Sequence, residues 1–194
     1  VDYKTGSKKL DLKEVYCGLD CQMLLYLFSL TRDGSGRFTG AEPAGVLYLL
    51  ADPAPENTTR ANAARSVEYK LDGLVRDEQK LFRAMDADET GRYLPFSYLR
   101  GVPSPYQKDK RADSAKLDRI RLHLDDLVTQ MGEQLYGGQI AAEPLVTGRS
   151  PCLWCDYSFI CCHENGIGER ALDAPAKPFE VPETTPEEGK EEQP

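Results

Sequence analysis

Asp2 and Lys4 stand two positions apart in the opening stretch Val1-Asp2-Tyr3-Lys4-Thr5-Gly6. Read as a short strand ending at Gly6, Val1 to Lys4 would point both side chains to one face, carboxylate beside ammonium. Such a pair suits phosphodiester cleavage. The carboxylate can hold a hard Mg²⁺, and the lysine can steady an attacking water or the charge that builds on phosphorus. The triplet alone is also what a surface ion pair looks like, and Asp11-Leu12-Lys13 repeats it. Its meaning depends on the elements around it.

The second chemically loaded stretch runs from Pro151 to His163. Cys152, Cys155 and Cys161 are spaced C-x2-C-x5-C, with Cys162 and His163 directly behind. Two cysteines separated by two residues can grip one metal centre from a single turn. Cys152, Cys155, Cys161 and His163 would make a Cys3His zinc site unaided. A [4Fe–4S] cluster needs four ligands, and the triad would supply three. Cys17 and Cys21 read as small core residues, and His123 is given no role.

Several elements must position these groups. Leu10 to Val15 alternates apolar and charged residues, which predicts a second, half-exposed strand. Tyr16 to Leu30 predicts one helix, on which Gln22 and Tyr26, four apart, share a face. Ala44 to Leu50 is a continuous apolar run between Pro43 and Pro53, the pattern of a buried strand. Ser66 to Lys70 predicts a short strand, Leu71 to Val75 a turn, and Glu78 to Met85 a short helix. Tyr93 to Phe96 predicts an edge strand, because Pro95 cannot donate to a ladder. Val102 to Ala112 reads as a surface loop. Asp113 or Ser114 would cap a long helix carrying Leu117, Ile120, Leu124, Leu127, Val128, Met131 and Leu135, closed by Gly137-Gly138. Ile140 to Val146 would be extended.

The chain of 194 residues suffices for one domain with a real core plus a tail. Its formal charge is −8, of which −5 falls in residues 171–194 and −3 in residues 1–170. The body is therefore close to neutral, and no basic patch advertises nucleic-acid binding. Residues 171–194 are rich in Pro, Glu, Thr and Lys and predict a disordered acidic tail. No apolar run approaches a membrane span and nothing resembles a signal peptide. Six cysteines in such a chain point to the cytoplasm and to metal ligation rather than disulfides. Opening on Val1 inside a strand, the chain reads as the C-terminal piece of something longer.

A strand carrying Asp-x-Lys, then a helix carrying Gln-x-x-x-Tyr, resembles the RecB-type branch of the PD-(D/E)xK nucleases. With the triad at its end, the sequence resembles more closely the nuclease domains of AddB-type subunits of bacterial helicase–nucleases, up to about Gly166. Val1 to Gly6, Gly18 to Tyr26, Pro43 to Tyr48, Lys70 to Leu74, Ala84 to Asp86 and Pro151 to Cys161 carry that likeness together. The resemblance implies an α/β fold with a mixed central sheet flanked by helices. It also implies a partial nuclease domain over 1–150 and an iron–sulfur segment over 151–166. By position, Asp2 would ligate Mg²⁺ with the carbonyl of Tyr3, Lys4 would be catalytic, and Gln22 and Tyr26 would support them. Cys152, Cys155 and Cys161 would hold a [4Fe–4S] cluster, its fourth cysteine lying upstream.

The activity implied is DNA exonuclease cleavage, of the 5′-ended strand, in double-strand-break repair by homologous recombination. The partners implied are DNA, as double-strand ends and unwound single strand, and an AddA-type helicase–nuclease subunit in a heterodimer. ATP would be used by the whole enzyme and not bound here, and no membrane is involved. Two other readings remain open: a stand-alone RecB-like iron–sulfur exonuclease, and a non-catalytic DNA-end-binding scaffold with a structural metal.

Overall fold

A computed structural model describes residues 1–4, 9–32, 36–50, 71–164 and 166–181. Its centre is a mixed sheet of four strands in the order β1 (Asp2–Lys4), β2 (Gly45–Leu50), β3 (Asp72–Arg76), β6 (Arg111–Ala112). β1 runs parallel to β2, β2 antiparallel to β3, and β3 parallel to β6. Parallel neighbours need a crossover, which α1 (Leu12–Tyr16) and α2 (Gln22–Arg32) supply between β1 and β2. Between β3 and β6 come α3 (Gln79–Met85), the two-stranded ribbon β4 (Tyr98–Leu99) and β5 (Val102–Pro103), and a tight helical turn at Pro105–Lys110. α4 (Ser114–Tyr136) follows β6, and β7 (Leu145–Val146) pairs with β8 (Arg170–Ala171) around the short helix α5 (Ser158–Cys161).

The sheet has a layer on each face. Val46, Tyr48 and Leu74 pack with Val15, Leu24, Phe28, Leu117, Ile120 and Leu124, so α1, α2 and α4 cover one side. Val75 packs with Phe82, Leu94, Phe96 and Tyr98 on the other. Apolar residues on both faces of β2 explain why its sequence reads as an unbroken run instead of an alternation.

The expected mixed α/β architecture is present, and α3, α4 and β2 lie where the periodicity places them. Asp113 caps α4, its carboxylate accepting from Lys116 N at 2.6 Å. Several local expectations are corrected. Leu12–Tyr16 is helical, not extended, because Asp11 accepts from Lys13 N at 2.8 Å and caps a turn that buries Val15. The single helix from Tyr16 to Leu30 is two. Gly18 adopts φ +87° and Asp20 φ +53°, breaking the run before Gln22. Asp72 to Val75 is no turn but part of β3. Gly73, at φ +144°, lets the backbone of β2 approach so closely that any Cβ would collide with Val46 O and lie 3.0 Å from Leu47 Cα. Tyr93 to Phe96 forms no strand; it is held by Leu71 N donating to Tyr93 O and by burial of Leu94 and Phe96. The loop expected over Val102 to Ala112 contributes β5, the 105–110 turn and β6.

The disorder expected from Ala171 onward does not hold over residues 171–181. Phe179 is buried against Tyr16 and His123, its carbonyl accepts from Arg119 Nε at 2.7 Å, and Glu180 pairs with Lys116 at 2.7 Å. Residues 173–181 thus form a strap across α1 and α4, and 182–194 lie outside the described residues. The expected strand at Ser66 to Lys70 also lies outside them.

Candidate active site

β1 carries Asp2 and Lys4 on one face, as its two-residue period requires. The Lys4 ammonium sits 2.8 Å from Asp2 Oδ2, with side chains 24% and 33% exposed. The hydrogen bond to Asp2 is the main influence raising the Lys4 pKa, against a smaller opposing effect of desolvation; the charges of Asp2 and Asp20 add to the rise. Lys4 is therefore held as a cation, partly exposed. β1 is the outermost strand at one edge of the four-stranded sheet described.

The register builds a row across three strands that the spacing of residues does not reveal. Asp2 lies opposite Tyr48, and Tyr48 opposite Asp72. Residues directly opposite share a face, so the three side chains form a line. Tyr48 is 1% exposed and its ring lies under the Lys4 ammonium, 5.1 Å from the centroid. Burial, followed by the carboxylates Asp20, Asp2 and Asp72, pushes its phenol well above the usual range, so it stays neutral. Asp72 binds Lys110 Nζ at 2.8 Å and accepts from Leu10 N at 2.9 Å. The available signals were Tyr48, the one polar-tipped side chain in an apolar run, and Asp72, masked by its likeness to a turn residue.

Gln22 and Tyr26 stand one helical turn apart at the start of α2, opposite the buried Leu24 and Phe28. Gln22 Nε2 donates to Tyr26 Oη at 3.1 Å, and both side chains are exposed. Among the described residues no hydrogen bond or ion pair joins them to Asp2 or Lys4. Cys21 is half-buried between these elements, donating to Leu19 O at 3.2 Å, and burial pushes its thiol up to about 11. It is an unreactive packing residue at neutral pH.

The triad is wound on two short turns. Ser150 caps Pro151–Trp154, Cys155 N bonds to Cys152 O, and Cys161 N bonds to Tyr157 O at 2.9 Å. Cys152 is half-buried, Cys155, Cys161 and Cys162 are exposed, and all are free thiols. Cys162 ends α5 in the left-handed region at φ +53°. His163 Nε2 is buried with no hydrogen-bond partner among the described residues. The donor types suit a thiophilic centre. The arrangement does not close one: no three His, Cys, Asp or Glu among the described residues are gathered as metal ligands. At the other site, Asp2 and the Tyr3 carbonyl are the hard oxygen donors Mg²⁺ prefers, but only two of the six it takes.

A family model for the PD-(D/E)XK nuclease superfamily matches residues 1–162. The chain belongs to that superfamily. The match takes in β1, α2 and the triad together. Relatives named as the B subunit of an ATP-dependent helicase/deoxyribonuclease are similar over most of the chain. That of Thermoanaerobacter sp. (strain X514) is 29% identical over 181 residues, covering 86% of this chain and 15% of the relative. That of Bacillus subtilis (strain 168) is 31% identical over 183 residues, covering 87% and 15%. That of Symbiobacterium thermophilum is 32% identical over 184 residues, covering 89% and 16%. The chain thus spans about 15% of the length of the curated relatives it matches. No helix among the described residues is long and apolar enough to cross a membrane.

Proposed function

We propose that this chain is the catalytic part of a Mg²⁺-dependent deoxyribonuclease subunit in an ATP-driven helicase–nuclease. The observation that carries the reading is the Asp2–Lys4 pair, 2.8 Å apart on β1, inside a nuclease-superfamily match that continues into the Gln22–Tyr26 helix. In this reading the enzyme works in the cytoplasm on double-strand ends and the single strand unwound from them. Its partner is an AddA-type subunit, it cuts the 5′-ended strand, and it serves recombinational repair of double-strand breaks.

Asp2, with the Tyr3 carbonyl, would hold the metal alongside ligands beyond the described residues. Mg²⁺ bound there would supply Lewis-acid charge neutralisation and a more acidic water. Lys4 is the fixed cation. Already protonated and oriented by Asp2, it meets the charge that develops on the phosphoryl oxygens without reorganising at the moment of reaction. Tyr48 floors the site and excludes water beneath Lys4. Gln22 and Tyr26 present a donor and a hydroxyl to the nucleic-acid backbone. Cys152, Cys155 and Cys161 would hold a structural [4Fe–4S] cluster, completed from outside the described residues.

The test is cleavage of linear duplex DNA by the reconstituted helicase–nuclease carrying Asp2→Ala. Loss of this subunit's cleavage with unwinding intact is expected; normal cleavage would sink the assignment and favour a DNA-end-binding scaffold. Asp11→Ala is the control. It removes the cap of α1, costs about 1 kcal/mol of stability, and should leave cleavage in place.

A further inference from the structure

A groove of about 1450 Å³ is walled by residues 9–14, the 105–110 turn, the start of α4 and the strap at 175–181. It exceeds the roughly 300–1,000 Å³ of small-molecule pockets, which suits a polymer. The strap that closes it is fixed by Lys116–Glu180 and by Arg119 donating to Phe179 O, so the wall is pre-formed.

The lining charges are unevenly committed. Asp11 and Asp113 cap helices, Asp77 holds Arg111 and the Tyr98 hydroxyl, Glu180 holds Lys116, Asp109 lies 3.7 Å from Lys110, and Glu14 completes the acidic lining. Lys9, Lys13, Lys108 and Lys177 line the same groove without an ion-pair partner among the described residues. Tyr106 stands among them, 87% exposed on the 105–110 turn. Uncommitted lysines around a bare aromatic face are the elements of a single-strand platform: cations track phosphates and a ring stacks a base.

The groove's wall is also fastened to the Asp2–Tyr48–Asp72 row. Lys110 and Leu10, both in its wall, fasten to Asp72, at the far end of the Asp2–Tyr48–Asp72 row. Two strand spacings, roughly 10 Å, separate Asp72 from Asp2. We propose that the groove carries one strand of nucleic acid to Lys4, its phosphates on Lys9, Lys13, Lys108 and Lys177 and one base stacked on Tyr106. This rests on the nuclease reading and names the path by which its substrate arrives.

Photo-crosslinking of an oligothymidylate bearing 4-thiothymidine to the intact helicase–nuclease, with the crosslinked peptide mapped by mass spectrometry, tests it. The peptide containing Tyr106 should be labelled. Tyr106→Ala should raise the half-saturating oligonucleotide concentration by roughly 5- to 150-fold, the span for one stacked base, and Tyr106→Phe should restore it. Replacing the four lysines by Gln should flatten the salt dependence by about 0.7 in log–log slope for each phosphate no longer neutralised, with an unchanged melting curve showing that the fold survives. Labelling confined to other peptides, or unchanged saturation and salt slope in these variants, would overturn the groove. Asp2→Ala leaves the groove untouched, so an Asp2→Ala variant that still cuts refutes the nuclease reading, whereas missing Tyr106 labelling in an enzyme whose cleavage requires Asp2 refutes only the path.

Discussion

The ammonium of Lys4 stands 5.1 Å from the centroid of the Tyr48 ring, on a side chain only 1% exposed. A cation over a buried ring gains about 0.5–2 kcal/mol, and the ring also keeps water from beneath Lys4. Tyr48→Phe keeps the face and should keep both stability and cleavage within about twofold. Tyr48→Leu removes it. Loss of the cation–π contact and imperfect filling of the space should cost about 2 kcal/mol in a melt, with cleavage falling more than binding because the cation is no longer held. Equal losses in Phe and Leu variants would show that the hydroxyl, not the ring face, matters.

Gly73 and Val46 define the closest approach in the sheet. Gly73→Ala would place a methyl group against the Val46 carbonyl at φ +144°. Left-handed backbone strain costs of order 1–3 kcal/mol by itself, and here the neighbouring strand must also move. A loss of about 3 kcal/mol or more is expected in chemical denaturation. A loss below about 1 kcal/mol, less than the strain alone, would mean that β2 and β3 pair in another register. Gly36, which has open space around it, is the control site; its alanine variant should lose less.

These two positions also show what a sequence can and cannot reveal here. The long helix α4 is legible because Leu117, Ile120 and Leu124 repeat on one face and Asp113 supplies its cap. The pairing of Asp2 with Lys4 is legible because a strand's period alone brings them together. Gly73 misleads, since Asp-Gly is a turn signal locally, while here the glycine serves close contact with Leu47 on the neighbouring strand. The Asp2–Tyr48–Asp72 row is invisible for the same reason: it exists only through register. The strap is missed because composition, with its prolines and charges, outweighs a single Phe179 that packs against the stacked rings of Tyr16 and His123.

Cys21 provides a pH test. Burial, the larger cause, and the charge of Asp20 raise its thiol from 9.0 to about 11. A raised folded-state value means the stabilisation is fully present below pH 9 and is lost as pH climbs from about 9 to 11, where the unfolded chain ionises first. The melting temperature of the wild type should therefore fall more steeply than that of Cys21→Ala across this window, and the two profiles should run parallel below it. At about pH 8, below even the unperturbed thiol range, Cys21 should resist alkylation by iodoacetamide, while the exposed Cys155 and Cys161 of metal-free protein react. Rapid labelling of Cys21 would contradict its burial.

The final prediction concerns the triad. Cys152, Cys155 and Cys161 are free thiols, two of them exposed, on turns beside the exposed side chains of Leu153, Trp154, Tyr157 and Phe159. A metal centre that used them would fasten this loosely packed segment, and a fourth ligand distant in sequence would close a long loop. Closing such a loop removes entropy from the unfolded chain, as a disulfide does. Ala at any of the three positions should therefore lower melting temperature and DNA binding together, rather than turnover alone. Cys162→Ala should be near neutral, because Cys162 follows Cys161 at φ +53° and its thiol leans on Phe159 O at 3.8 Å. Anaerobically purified full-length protein should contain iron and labile sulfide at about four per chain, as a [4Fe–4S] cluster requires, with broad visible absorption. Stoichiometric zinc without iron or sulfide would overturn the cluster. It would assign His163, whose Nε2 is buried without a partner among the described residues, as the fourth ligand, and His163→Ala would then lose the zinc.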